Sequence, residues 1–407
     1  MKKYLFILMA AGCLAVACEK KGEVLSPDEQ KATIEATAVA AVEAVDLDNW
    51  KGTADIIVAS SMVLDDSEAD ADLKKWAEGV EKSWEVTNSG KSYPVTMVDL
   101  TKIKGEFTIK DKVLSRKDAS SLSLSFNLDD EANTACKATA TVKNSSTKLM
   151  MDQDVDREYD GSGNITKETI TSEEWIIVPS LVDVKLTAAG KTQVRAKFTT
   201  DLDIAGAEPR PTDKMAATAE LTFGEYKLNV TRAKYSDTNV QLKTEFKKGS
   251  TSILAASFTA KGKLAFQEDD DIDVMKSDGK VNVDATLMGS VELKGSLDWT
   301  AYKNVEEVTK DAKTAEEATK AVAAALEKAV NVTVYVDGTA QAKLGFEPVG
   351  EGENWNMYTV IRFTDGSAYE LADEFFSPNN YGRVIEAVNN LLAKIENYFN
   401  PGKNDLQ

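Results

Sequence analysis

The sequence predicts an α+β fold, in which one large, curved antiparallel sheet (a meander, half-barrel or open barrel) packs against N-terminal and C-terminal helices. Three observations lead to this prediction. Between residues 91 and 301, apolar residues alternate with polar ones, as in strands with one dry and one wet face. Turn-forming pairs such as Asp278-Gly279 recur throughout this stretch. On either side of it, apolar residues follow helical spacing instead.

Residues 26–90 are predicted to be a helical N-terminal segment. Ser26 and Glu29 form a capping box with Pro27 at the first helical position, which marks a helix start. A second apolar stretch follows, and a further helix is expected to begin at Ser67. The apolar stripe of that last helix contains four residues: Leu73, Trp76, Val80 and Trp84.

Residues 91–301 are predicted to form the antiparallel β meander. The alternating apolar sets include Leu122 to Leu128, Val194 to Ile204, Val240 to Phe246 and Val281 to Leu287. Cys136 shares its face with Ala138, Ala140 and Val142, so we expect a buried structural thiol and not a nucleophile.

Residues 302–407 are predicted to contain a helix, short strands and a closing C-terminal helix. Thr314 and Glu317 form a second capping box, and the closing helix is expected from Tyr381 to Phe399. No linker rich in Pro, Gly or Ser precedes this segment, so we expect it to pack on the same domain as the meander.

The beginning of the chain indicates export. Lys2 and Lys3 precede an apolar run of about 13 residues, which is too short to span a bilayer. Small residues then lead to Cys18, and a charged stretch, 19–23, follows it. This pattern resembles a bacterial lipoprotein signal with its lipobox. The alternatives are an ordinary secretory signal and a short membrane anchor.

The resemblance to lipoproteins covers only the signal, and it carries expectations about processing. It implies that residues 1–17 are removed, that Cys18 is acylated, and that residues 18–25 tether the protein to the outer membrane. Cys13 is a second candidate, but cleavage there would leave apolar Leu14 to Ala17 on the mature protein. Residues 19–23 loosely resemble the surface-export signals of Bacteroidetes lipoproteins, so a periplasmic and a cell-surface location both remain open.

Composition limits the classes of function. Without residues 1–17 the chain has 46 basic and 67 acidic residues, a net charge of −21, which disfavours binding to nucleic acid. The chain contains no histidine, which excludes Ser-His-Asp and Cys-His catalysis and histidine-based zinc sites. No cofactor is expected. If the protein is an enzyme, its catalytic groups would have to be carboxylate, tyrosine or lysine side chains.

One acidic segment comes near to a calcium-binding pattern. Asp156, Glu158 and Asp160 occupy alternate positions and Gly161 the sixth, but Lys167 stands where a bidentate glutamate belongs. A hairpin turn over residues 160–164 explains the same residues more simply. The acidic run over residues 268–273 also lacks the full calcium pattern, and a solvated loop is the favoured interpretation.

Aromatic residues offer one weak candidate for ligand binding. Trp355 and Tyr358 lie close together in the sequence and could form a platform for a sugar ring. Packing within a hairpin is the more common role of such residues.

These observations favour a cell-envelope lipoprotein with a non-enzymatic binding or scaffolding role. In its sharper form, this hypothesis gives the protein an apolar ligand held beneath the helices. The alternatives are a surface lipoprotein that binds glycans or proteins and a glycoside hydrolase that uses two carboxylates. A solvent-accessible apolar cavity under the helices would favour the first, an exposed aromatic strip the second, and converging carboxyl groups with one raised pKa the third.

Overall fold

The computed structural model describes residues 24–45, 47–87, 89–204, 206–210, 213–236, 238–263, 278–305, 307–375 and 380–399. The signal, Cys18, most of the tether and the acidic run over 268–273 lie outside the described residues. The α+β prediction is confirmed, since the described residues form six helices and eighteen strands in open, curved, largely antiparallel β-structure.

The chain divides into two compact units. The terminal unit comprises the described residues of Met1–Asp48 and Tyr226–Gln407, and the inserted unit comprises Asn49–Glu225. The division falls within the stretch that the sequence predicts as one meander. The helices are α1 Pro27–Ala44, α2 Leu47–Asp65, α3 Ala71–Trp84, α4 Trp299–Lys303, α5 Ala315–Ala329 and α6 Gly382–Phe399.

The inserted unit contains α3, all but the first residues of α2, and nine strands. These strands are β1 Glu68–Ala69, β2 Val95–Val98, β3 Gly105–Lys110, β4 Val113–Lys117, β5 Leu122–Asn127, β6 Ala135–Tyr159, β7 Ile165–Ala188, β8 Lys191–Asp203 and β9 Lys214–Phe223. Strands β5 to β9 are antiparallel in chain order, whereas β2 runs parallel to β7 and β3 parallel to β5. A short 3₁₀ helix, Leu100–Lys102, follows β2.

The terminal unit contains α1, α4, α5, α6 and the other nine described strands. These are β10 Tyr226–Tyr235, β11 Asn239–Lys248, β12 Thr251–Lys261, β13 Lys280–Leu287, β14 Val291–Asp298, β15 Val330–Val336, β16 Thr339–Glu351, β17 Asn354–Phe363 and β18 Ala368–Glu370. Each pairs antiparallel with the next. A 3₁₀ turn, Glu307–Thr309, precedes α5, and a π-helical turn, Leu371–Phe375, follows β18.

Local capping chemistry sets the helix starts. Ser26 and Glu29 make the reciprocal bonds of the expected capping box, and Thr314 accepts a hydrogen bond from the Glu317 backbone N–H. The predicted start at Ser67 is wrong, because residues 68 and 69 pair with β4 and Asp70 caps α3 by accepting from the Leu73 backbone N–H at 2.7 Å.

Each unit has its own hydrophobic core. In the terminal unit, α1 contributes Ile34 to a cluster with Val291, Ile361, Phe363 and Phe375. In the inserted unit, α2 packs on a buried cluster through three side chains: Ile56, Ala59 and Val63. The buried members of that second cluster are Ile109, Phe126, Leu128, Cys136 and Ala188.

Cys136 is the buried structural thiol that the alternating pattern predicts. It is 4% exposed, and burial is the largest cause that raises its pKa, followed by the nearby Asp130 carboxylate. In a chain that lacks residues 1–18, Cys136 is the sole cysteine.

We therefore expect Cys136 to react with a thiol reagent roughly a hundredfold more slowly in the native protein than in denaturant, because the thiol is both covered and protonated. The measurement is the rate of reaction with an aromatic disulfide at fixed pH, with and without denaturant. Similar rates under both conditions would contradict the buried position.

Candidate functional site

Where strands β6 to β9 of the inserted unit lie side by side, one face of the sheet carries no charge. The strand register places Val184 opposite Ala196 and Ala196 opposite Leu221, while Val182, Phe198 and Ala219 form the next row. We call this surface the inserted apolar face. It consists of Cys136, Ala138, Ala140, Val142, Val182, Val184, Leu186, Ala188, Val194, Ala196, Phe198, Ala219, Leu221 and Phe223.

The opposite face of the same strands is charged. It presents Lys137, Lys143, Asp183, Lys185, Arg195, Lys197 and Glu220. Arg195 donates two hydrogen bonds to the Asp183 carboxylate, at 2.9 and 2.7 Å, and these bonds lower the pKa of Asp183. Polar and apolar side chains are therefore separated onto the two faces, as alternation along a strand permits.

Helix α2 covers only one end of the inserted apolar face. Its Trp50 ring lies 4.9 Å from the Phe223 ring, and Leu186 packs with the cluster that α2 contacts. In the next rows, Val184 is 40% exposed, Phe198 45% and Leu221 43%. Large apolar side chains thus line the part of this face beyond the helix, where water contact is unfavourable.

The sheet of the terminal unit repeats this arrangement. Leu242, Phe258, Val283 and Gly295 lie directly opposite one another on four consecutive strands. We call the surface around this row the terminal apolar face. It consists of Leu228, Val230, Val240, Leu242, Thr244, Phe246, Leu254, Ala256, Phe258, Ala260, Val281, Val283, Ala285, Leu287, Leu293, Gly295 and Leu297, none of them charged.

The terminal apolar face is buried at its two ends and uncovered between them. Leu287 is 5% exposed at one end of β13, and Val281 is 8% exposed at the other. Between them Val283 is 36% exposed, and Leu242, which lies in the same row, is 44% exposed. The uncovered strip crosses strands β11 to β14, and at about 4.8 Å between strands it is about 14 Å long. Its length and lack of charge suit a hydrocarbon chain.

The alternating pattern in the sequence predicts which apolar residues share each face, but it does not predict which of them are exposed. The sequence predicts a ligand beneath the helices, whereas the exposed rows of the inserted apolar face lie beyond the part that α2 covers. Alternation is the only sequence signal for these residues, because the sequence pattern of an apolar strand residue is the same whether or not a helix covers its side chain.

Trp355 and Tyr358 both lie on β17, three residues apart, so their side chains point to opposite faces of the sheet. The Trp355 indole donates to the Gly352 carbonyl at 3.2 Å, and the Lys320 ammonium lies 5.4 Å from its ring. Tyr358 is 42% exposed. The structure does not bring the two rings together into one platform.

The calcium candidates lie at the far end of the β6–β7 hairpin. Asp160 accepts hydrogen bonds from the Asn164 and Ser162 backbone N–H groups, and these bonds lower its pKa. Glu158 forms an ion pair with Lys167 at 2.6 Å, and Asp156 lies farther along β6. Within the described ranges, no cluster of three or more carboxylate or cysteine groups is arranged to hold a metal ion.

The hydrolase alternative needs a carboxyl group whose pKa is raised, so that it can act as an acid. Among the described residues, each carboxyl group whose pKa departs clearly from its ordinary value is shifted downward. These groups belong to Asp99, Asp130, Asp160, Glu173, Asp183, Glu245, Asp298 and Asp365. None of these eight groups therefore has the raised pKa that the acid of a glycoside hydrolase needs.

No protein-family model, curated protein or solved structure matches this chain. In the part of the chain that the structure describes, no helix combines the length and apolar character needed to cross a membrane.

Proposed function

We propose that this protein is a cell-envelope lipoprotein that binds or carries an apolar ligand on the uncovered parts of its sheet. The lipid anchor at Cys18 and the outer-membrane location rest on the signal sequence. The binding role rests on one observation: in each unit, large apolar side chains at 36–45% exposure lie in rows of strand residues that carry no charge.

The occupant that suits these surfaces is a hydrocarbon chain. Burying a methylene group releases about 0.8 kcal/mol, so a chain laid across several strands gains affinity along its length. The terminal strip has small side chains at Ala256 and Ala285, whereas the Val332 side chain occupies the space above Gly295. An uncharged floor favours the alkyl part of a ligand, while a polar head group would remain in water.

The glycan-binding alternative has less support from the geometry. An aromatic platform stacks against a sugar ring, but Trp355 and Tyr358 lie on opposite faces of β17. The exposed apolar residues on the two faces are mainly aliphatic, with Phe198 as an exception. Aliphatic side chains match alkyl chains better than sugar rings, which favours the apolar ligand.

Native mass spectrometry tests the proposal directly. Residues 19–407, which include every described residue, would be recovered from a cell-envelope extract and weighed before and after denaturation. We expect a co-purifying small molecule that is released on unfolding and is identified as a lipid. A clean protein mass, together with no binding of the apolar fluorophore N-phenyl-1-naphthylamine, would contradict the proposal.

Paired variants locate the binding surface. In L242D/V283D two carboxylates stand on the terminal apolar face, where they must lose water when a hydrocarbon binds, so we expect at least about tenfold weaker binding of the fluorophore. The control Q241D/N282D adds the same charges to the same strands on the opposite face. Equal affinities of the two variants would show that the terminal strip is not the site.

The same comparison addresses the inserted apolar face. F198D/L221D places two carboxylates on its exposed rows, at positions where side chains are already accessible, so the fold should tolerate them. Loss of fluorophore binding in this variant alone would assign the ligand to the inserted unit.

A further inference from the structure

The β6–β7 hairpin continues well past the rest of its sheet as a two-stranded ribbon. Strand β5 pairs with β6 only as far as Ala140, and β2 pairs with β7 only between Glu173 and Ile176. Among the described residues, those of the distal ribbon, 154–159 and 165–172, form strand pairs only with each other. Every residue from 156 to 169 is exposed. The distal ribbon therefore leaves both backbone edges open.

A buried carboxylate holds the root of this ribbon. Glu173 is 6% exposed and accepts hydrogen bonds from the Tyr93 hydroxyl at 2.7 Å and the Trp175 indole at 3.1 Å. Lys91 and Gln153 donate to the same carboxylate at 3.4 Å. These donors come from β6, β7 and the segment before β2, so they fix the ribbon where it leaves the sheet.

Further contacts order the ribbon along its length. Arg157 pairs with Glu168 at 2.9 Å, and Lys167 pairs with Glu158 at 2.6 Å, in each case across the two strands. Asp160 closes the turn through bonds from two backbone N–H groups. An isolated two-stranded hairpin is marginally stable in water, and these contacts compensate for the lack of a third strand.

The ribbon exposes apolar groups as well as edges. Tyr159 and Ile165 lie directly opposite each other near the turn and are 59% and 50% exposed, and Met151 is 55% exposed. An exposed edge with apolar side chains favours pairing with another extended chain. Edge pairing supplies main-chain hydrogen bonds, and the alternating side chains select the partner.

The negative charge on β6 favours a positively charged partner. Asp152, Asp154, Asp156 and Glu158 occupy alternate positions, with no extra residue on β6 between them, and therefore share one face. Asp152 lies opposite Glu174, a like-charge pair that destabilises the ribbon unless a cation approaches. The only cations of the distal ribbon, Arg157 and Lys167, are already paired with its own glutamates.

We propose that the distal ribbon is a docking arm for an extended, cationic polypeptide segment, which adds to the open edge of β6 as a third strand. Alternating lysine or arginine side chains of that segment lie beside Asp152, Asp154 and Asp156, and its apolar side chains cover the exposed apolar groups of the ribbon. This role is independent of the apolar faces.

A synthetic peptide of alternating lysine and valine is the probe. We expect residues 19–407 to bind it and the backbone amides of residues 152–158 to exchange more slowly in the complex. Replacing residues 155–171 by Asn-Gly keeps the direct partners Asp154 and Ser172 beside a two-residue turn, retains Glu173, and should abolish binding. Fluorescence anisotropy with a labelled peptide measures the affinity.

Charge variants separate this surface from the general acidity of the chain. D152N/D156N keeps the shape of both side chains and removes their charges. It should weaken binding roughly two- to thirtyfold, which corresponds to the summed free energies of two exposed cross-strand charge pairs. The control D201N/D203N removes two exposed charges from β8 of the same unit and should leave the affinity unchanged. Unchanged binding by the shortened ribbon, equal weakening in the control, or no binding by the unmodified protein would each overturn the proposal.

Discussion

Replacing Phe375 by alanine is expected to lower the free energy of unfolding by about 3–5 kcal/mol. Phe375 is 1% exposed and is among the largest fully buried side chains described. Its ring lies 5.7 Å from that of Phe363 and 6.0 Å from that of Tyr381, both of which belong to the same core. Truncation removes these ring contacts and leaves a cavity that the surrounding strands fill only partly.

The control for F375A is L392A, which removes an apolar side chain of α6 that is 56% exposed. It should change the free energy of unfolding by less than about 0.5 kcal/mol, because little surface leaves water at this position. Urea unfolding followed by circular dichroism measures both variants. A loss below about 1 kcal/mol for F375A would show that Phe375 does not fill the core of the terminal unit as described.

Sequence reasoning succeeded where the determining interactions are local. The caps at Ser26 and Thr314 involve residues three positions apart, and both helices begin where the sequence predicts, although the full reciprocal box forms only at Ser26. The burial of Cys136 followed from its place in an alternating set. The failure at Ser67 has the opposite cause, because a pairing of residues 68 and 69 with β4, far away in sequence, competes with the helix.

The features that define the candidate sites depend on distant contacts. Nothing near Phe198 or Val283 in the sequence indicates where α2 ends or which row a helix covers, so their exposure was not predictable. The alternating pattern also does not predict that β6 extends far beyond the residues that pair with β5. The hydrogen bond from the Tyr93 hydroxyl to the Glu173 carboxylate joins side chains that are 80 residues apart. Contacts between residues so far apart in the sequence can be identified only once the fold is known.

Neutralising Glu173 is expected to destabilise the inserted unit near neutral pH, and the effect should disappear in acid. Hydrogen bonds from Tyr93 and then Trp175 are the largest causes that lower the pKa of Glu173 below its ordinary value near 4.5. A carboxyl group with a lowered pKa in the folded state stabilises the fold above its unfolded pKa, and this contribution is lost as the pH falls through the folded value.

The decisive comparison is E173Q with E174Q across this pH range. In E173Q the carboxylate that accepts these hydrogen bonds at pH 7 is replaced by a neutral amide, which has only one acceptor oxygen. The Tm of this variant should therefore be roughly 5–10 °C lower than that of the unmodified protein. The difference from the unmodified protein should shrink below about pH 4, because protonation then removes the same charge from both. Glu174 lies on the opposite face of β7 and directly opposite Asp152, so E174Q removes one charge together with a repulsion, and its Tm should not fall. A difference that stayed constant with pH would mean that the shape of the side chain, and not its charge, holds the root of the ribbon.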